Sequence, residues 1–278
     1  MRCAPSLICT GAHRAGAAFI VTTPDVLAIA SGDNPQFKAL RRLAQDNTAY
    51  RKAGRVWIEG DHLCRAALAR GVKPALAVFS SSFWPRAPKE WSDSAAKTLV
   101  LNESLWRALS ALESPAQMGF VIDLPAAALI AGKRATVILD RVQDAGNVGS
   151  ILRSACAFGF EQVIALTGTA ALWSPKVLRA GMGAHFGLSL IEGAELSDLD
   201  ALELPLLVTS SHLGEYLHRA DLTMPCAWAL GHEGQGVCAA LSQRATQAIR
   251  IEQPGGEESL NVAAAAAICL HACACRPG

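Results

Sequence analysis

The chain has 278 residues, of which 51% are hydrophobic and 18% charged. That composition excludes a disordered chain and supplies a substantial core for one large domain or two modest ones. A formal net charge of +1 excludes a uniformly basic nucleic-acid binder, although it leaves room for a local basic patch.

Nine cysteines, an odd number with no framework spacing, are expected to be reduced, buried small hydrophobes of a cytoplasmic protein. The tail "CLHACAC" (Cys269, His271, Cys273, Cys275) matches no common zinc spacing and has no second half elsewhere, so no metal is expected. No uninterrupted apolar stretch approaches the roughly 20 residues of a membrane-spanning helix.

Residues 1–30 are basic and have no acid before Asp25. They lack the compact apolar run and small-residue cleavage site of a signal peptide, and are expected to be a flexible tail or a stretch ahead of the true start. The segment "NPQFKALRRLAQDNTAYRKAGRVWIEG" predicts a helix, a polar turn and a strand. Asn34 can cap the helix, Pro35 suits its first turn, and Phe37, Leu40 and Leu43 fall on one face. "DHLCRAALARG" predicts a helix capped by Asp61 and stopped by Gly71. Strands "PALAVFSS" and "KTLVLN", a helix "ESLWRALSALES" and a strand "GFVIDL" complete a small α/β unit over residues 31–124.

The Ala-rich stretch 125–134 reads as a linker. From Ala135 to residue 278 the alternation restarts. "ATVILD" is a strand, a helix begins near Gly149, "QVIALT" is a strand and "SPKVLRAGMGA" a helix. Strands at "GLSLIE", "PLLVTSS", "CAWALG" and "QAIRIE" and a C-terminal helix follow. Apolar strands alternating with helices imply an α/β domain with a mostly parallel sheet covered on both faces.

Lys38, Arg41, Arg42, Arg51, Lys52 and Arg55 are opposed within their own window only by Asp46. They are candidates for RNA phosphate contact, since Lys38, Arg41 and Arg42 can share a helix face; a solvated helix face is the plain alternative.

Three loops follow three strands, at the strand ends where open α/β sheets hold their ligands. The first, "DRVQDAGNVG", has neither the GxGxxG of a dinucleotide fold nor the Lys-Ser/Thr of a phosphate loop. It offers Asn147 instead, followed by Arg153 in the first turn or so of an otherwise apolar helix. The second, "LGHEGQGV", holds Glu233 among Gly231, Gly234 and Gly236. The third, "IEQPGGEESLNVAAAAAICL", has Ser259 able to cap a helix starting at Leu260, Asn261 in its first turn, and a run of alanines that lets something pack close. Each loop alone has a plain reading: a salt-bridged arginine, a glycine turn, a capped and tightly packed helix.

In this order the three loops resemble the three motifs of the SPOUT superfamily of RNA methyltransferases, in its SpoU (TrmH) branch. The likeness runs over roughly Ala135 to His271, and residues 31–124 resemble the L30e-like substrate-binding domain of the same branch. The resemblance implies a deep trefoil knot, a homodimer packed through the Ala-rich helix, and methyl transfer from S-adenosylmethionine to a ribose 2′-hydroxyl. The RNA it implies is ribosomal before transfer RNA. It implies Arg153, Asn147, Glu233, Ser259 and Asn261 as the catalytic set, with Ser259 either touching the ribose or only capping its helix. It implies Thr209, Leu230, Gly231, Gly236, Ile251 and Leu260 around the cofactor. The sequence departs from the branch at Ala145, where proline is usual, at His232, where asparagine is common, and at "EQPGG", where proline and methionine usually follow the isoleucine.

Overall fold

A computed structural model describes residues 25–256 and 260–275. The first domain is built on a five-stranded sheet of order β1-β4-β3-β5-β2: β1 Asp25–Ile29, β2 Arg55–Glu59, β3 Leu76–Ser80, β4 Lys97–Leu101 and β5 Met118–Asp123. Strands β1, β4 and β3 run parallel, and β5 and β2 pair antiparallel. Helices α1 (Pro35–Gln45), α2 (Ala49–Ala53), α3 (Asp61–Ala69), α4 (Lys89–Asp93) and α5 (Glu103–Leu109) pack around it. Helix α1 is capped as its sequence suggests, with the Asn34 carboxamide oxygen accepting from Gln36 N and Phe37 N, and it buries Phe37, Leu40 and Leu43.

Three local expectations are corrected. The tail does not extend to residue 30, because Asp25–Ile29 forms β1 in register with β4; residues 1–24 lie outside the described residues. The polar turn after α1 contains the short helix α2, ended by Gly54 at φ 62°. Asp61 is the first residue of α3, and Gly60 holds the capping position before it.

The second domain carries a seven-stranded, wholly parallel sheet of order β10-β12-β9-β11-β6-β7-β8. Its strands are β6 Thr136–Asp140, β7 Gln162–Leu166, β8 Ser189–Ala194, β9 Leu206–Thr209, β10 Glu215–Tyr216, β11 Ala227–Gly231 and β12 Gln247–Arg250. Successive side chains of a strand point to opposite faces. Val137 and Leu139 of β6 accordingly join the large core, which runs on into the first domain. Ile138 enters a second core on the other face, with Ile164, Val208, Ala229 and Leu241. The helices are α6 Ala145–Ala157, α7 Pro175–Gly181, α8 Ala239–Gln243 and α9 Val262–Ala274.

Helices α6 and α7 cross with almost no space between them, because Gly149 faces Ala180 and the backbone of Gly181. A methyl group at Gly149 would overlap the Ala180 side chain. Gly149→Ala is expected to cost about 1–3 kcal/mol by forcing the two helices apart; urea unfolding of the variant against wild type checks this.

The first domain sits against the outer strand of the large sheet. The buried Tyr50 hydroxyl donates to the Glu192 carboxylate on β8, at 2.7 and 2.8 Å, and the same carboxylate accepts from Leu172 N at 2.6 Å. Burial and the neighbouring carboxylate push the Tyr50 hydroxyl far above its usual range, so it remains a donor.

Candidate active site

Strands β6, β9, β11 and β12 are neighbours and run parallel, so the segments that leave them open on one edge of the sheet. Three of those segments are the three loops singled out in the sequence.

The first loop is shorter than expected. Helix α6 starts at Ala145 rather than near Gly149, and the Asp144 carboxylate caps it by accepting from Asn147 N at 2.8 Å. Asn147 therefore lies in the first turn of α6, and Arg153 about two turns in. Ala145 occupies the first helical position, where proline would also fit, so the departure there leaves the cap in place. Arg153 is exposed and has neither an ion pair nor a hydrogen bond among the described residues.

The second loop delivers Glu233 to the first. Glu233 Oε1 accepts from Asp144 N at 3.2 Å and from the Asn147 amide at 3.1 Å, and Oε2 accepts from Gln143 N at 3.4 Å. Partial burial opposes the Glu233 charge, but the Asn147 amide and these backbone donors outweigh it and hold the carboxyl below its usual range. Gly231 permits a sharp fold here, since any side chain on it would collide with the backbone of Gly236 and Val237; Gly236 itself sits at φ 67°.

The third loop joins through Asn261. Its carboxamide oxygen caps α9, accepting from Ala263 N at 2.9 Å and Ala264 N at 3.2 Å, while its amide donates to Asn147 Oδ1 at 2.9 Å. Helix α9 thus begins at Val262 and Asn261 is its cap, which corrects the expectation of Ser259 as cap of a helix starting at Leu260. Ser259 itself lies outside the described residues. Asn147, Glu233 and Asn261 form one bonded chain across three loops.

The candidate cofactor residues gather along the same edge. Thr209 ends β9, Leu230 and Gly231 end β11, and Ile251 directly follows β12, with Leu260 at the approach to α9. The Thr209 hydroxyl donates to Ala229 O at 3.2 Å, tying β9 to β11 at that end. The Gln253 side-chain oxygen is buried without a hydrogen-bond partner. A ligand with donor groups, such as an adenine amino group or a ribose hydroxyl, suits such an atom.

Two residues unmarked by the sequence reading hold the loops from beneath. Asp140, buried at the end of β6, accepts from Arg141 Nε at 2.8 Å and from Cys238 N at 2.6 Å. Burial opposes the Asp140 charge, but Arg141 and the Cys238 amide hold its pKa below the usual value. Arg141, at φ 58°, reaches on to Gln235 Oε1 at 3.0 Å. A charged pair at a strand end was the available signal.

The cations of the first domain are more paired than their sequence window shows. Lys38 meets Asp33 at 2.8 Å, Arg42 meets Asp46 at 3.8 Å, Arg51 meets Glu192 at 3.5 Å and Arg55 meets Asp123 at 3.2 Å. Arg41 lies 5.8 Å over the Phe37 ring, and Arg41 and Lys52 have no carboxylate partner among the described residues. Among the described residues there is no cluster of three metal-ligating side chains and no helix long and apolar enough to cross a membrane.

Comparison with known proteins gives the same picture. Residues 134–271 match the model of the SpoU rRNA Methylase family. The 23S rRNA (guanosine(2553)-2'-O)-methyltransferase RlmP of Bacillus subtilis is 31% identical over 77% of this chain and 86% of its own length. A TrmH-family structure from Porphyromonas gingivalis superposes with a TM-score of 0.74 at 31% identity, over 85% of this chain and 96% of that one. The AdoMet-bound rRNA methyltransferase of Sinorhizobium meliloti shares the fold, with a TM-score of 0.78 at 24% identity over 89% of this chain and 97% of its own.

Proposed function

From the premise that this chain belongs to the SpoU rRNA methylase family and has its SPOUT fold, we propose that it methylates a ribose 2′-hydroxyl of large-subunit ribosomal RNA, using S-adenosylmethionine. The observation that carries this reading is the bonded chain Glu233–Asn147–Asn261, with Arg153, exposed and unpaired among the described residues, on the helix that carries Asn147.

Bound S-adenosylmethionine supplies a methyl group on a sulfonium. Leu230, Gly231, Gly236, Ile251 and Leu260 would hold it through backbone and apolar groups, with Thr209 nearby and the orphaned Gln253 oxygen free to accept from it. A ribose hydroxyl becomes a competent nucleophile only when placed in line with the bond that breaks, so much of the gain comes from positioning. The three-loop network supplies that rigidity. Arg153 contributes positive charge where the hydroxyl becomes negative, and anchors phosphate. A guanidinium has a pKa above about 12, so the hydroxyl proton is expected to leave to solvent water rather than to Arg153.

The wider assembly belongs to the same proposal: a cytoplasmic homodimer whose loops form a trefoil knot. Helix α9 leaves Ala264, Ile268 and His271 exposed at helical spacing, with Ile268 41% exposed and Leu260 just before it 40% exposed. The exposed apolar residues Leu260, Ala264 and Ile268 suit a second copy.

RNA recruitment falls to Arg41 and Lys52. Changing both to glutamine is expected to weaken RNA binding and to lower the slope of log affinity against log salt by about 1.5. An unchanged slope in a filter-binding titration would make them solvated surface charges.

The function is tested by calorimetric titration with S-adenosylmethionine, with NAD as control, followed by mapping of 2′-O-methyl groups in RNA from a deletion strain. Binding together with one missing methyl group in 23S rRNA is the expected result. A missing methyl group in transfer RNA would move the substrate. No binding with or without RNA would leave a non-catalytic RNA-binding protein.

A further inference from the structure

The second loop is folded around an imidazole. Beyond Gly231, His232 and Gly236 bond to each other in both directions, N to O, at 3.1 and 2.8 Å. Within that ring two backbone N–H groups meet one side-chain atom. His232 Nδ1 accepts from Gly234 N at 3.0 Å and from Gln235 N at 3.3 Å. A ring nitrogen accepts only while it carries no proton, so these two bonds require a bare Nδ1. A proton on Nδ1 would set three donors against one another and open the turn. Glu233 lies between His232 and Gly234, and the turn fixed by these bonds aims its carboxylate at Gln143 N, Asp144 N and Asn147.

We propose that His232 is a positioning residue for methyl transfer that works only as a neutral imidazole, its Nδ1 holding the second loop closed and so keeping Glu233 on the first. This rests on the methyltransferase reading and deepens it. An asparagine carboxamide carries its oxygen at the same branch of the side chain, so it reaches the same two N–H groups and takes no proton. Among the described residues, the charged groups that meet this loop are Glu233 itself and, from the end of β6 and the turn after it, Asp140, Arg141 and Asp144. From the third loop Asn261 approaches through Asn147 and is uncharged. All of these remain in His232→Asn, so comparison with wild type cancels their titration and that of the RNA.

The experiment is the pH profile of kcat/KM for wild type, His232→Asn and His232→Ala, using ribosomal RNA from the deletion strain and radiolabelled S-adenosylmethionine. Wild type is expected to lose rate in acid relative to His232→Asn, which keeps most of the neutral rate. His232→Ala is expected to be about tenfold slower than wild type at neutral pH, because the turn loses the two bonds that fix it, and to converge with wild type in acid. An acid limb in His232→Asn equal to that of wild type, or full activity in His232→Ala, overturns the proposal. Nitrogen-15 spectra of the imidazole, assigned by the signal that His232→Asn lacks, give a readout that needs no substrate: an unprotonated Nδ1 at neutral pH is expected, and a protonated one overturns the proposal. A wild type that methylates no RNA overturns the reading of the function instead, and the nitrogen shifts still decide whether His232 holds the loop.

Discussion

Arg153→Ala is expected to slow methyl transfer about a hundredfold or more while leaving folding and S-adenosylmethionine affinity close to wild type. Two facts separate the effects. Arg153 is exposed and unpaired among the described residues, so its removal breaks no bond within them, and surface changes of that kind stay within about 0.5 kcal/mol of stability. Removing a charge that stabilises a developing oxyanion costs on the order of a hundredfold to a thousandfold in rate. Arg153→Lys keeps the charge and loses the planar fork, so it should recover part of the rate only. Single-turnover kinetics, with calorimetry for the cofactor and a thermal melt for the fold, check the three quantities. Near-full turnover in Arg153→Lys would remove the assigned role.

Glu233→Ala is expected to lower the rate by a comparable factor through a different route. The Glu233 carboxylate is the only side chain that bridges the second loop to the Gln143 and Asp144 amides and to Asn147 in the hydrogen bonds of the described residues. Without it the loops lose their common register, and a misplacement of about 1 Å at a reacting centre costs on the order of a hundredfold. The stability cost is small, about 1 kcal/mol, because the freed amides are exposed enough for water to take over. That cost also has a sign in pH. The carboxyl is held below its ordinary value of 4.5, so its stabilising contribution is present above that value and is lost as the pH falls through the lower, folded-state value. Urea unfolding at a series of pH values should show the gap between wild type and Glu233→Ala closing in acid. A double-mutant cycle with Asn147→Ala should show coupling at pH 7 that disappears at the acid end.

Strand β1 carries little local signal, since Val26 and Leu27, 46% and 45% exposed, leave only Ile29 buried, and its partner β4 is some seventy residues away. Serine and asparagine both cap helices well, so Ser259 and Asn261 are equal candidates from sequence. Asn261 takes the position, and its amide is at the same time held by Asn147 on another loop. The basic cluster looked unopposed because Glu192 and Asp123, which neutralise Arg51 and Arg55, are distant in the chain.

The alternation of strands and helices, the parallel character of the second domain's sheet, the positions of the three loops and the family likeness are legible along the chain, because apolar periodicity, glycines and motif spacing are local properties. Only the tertiary structure decided what those loops do to one another. Glu233 and Asn261 lie 86 and 114 residues from Asn147 in the chain, and they bond to it because β6, β11 and β12 end on one edge of one sheet. It also decided that Asp140 and Arg141 support the second loop and that His232 closes it. A hydrogen bond depends on distance and direction in space, and those are set by packing rather than by the order of residues along the chain.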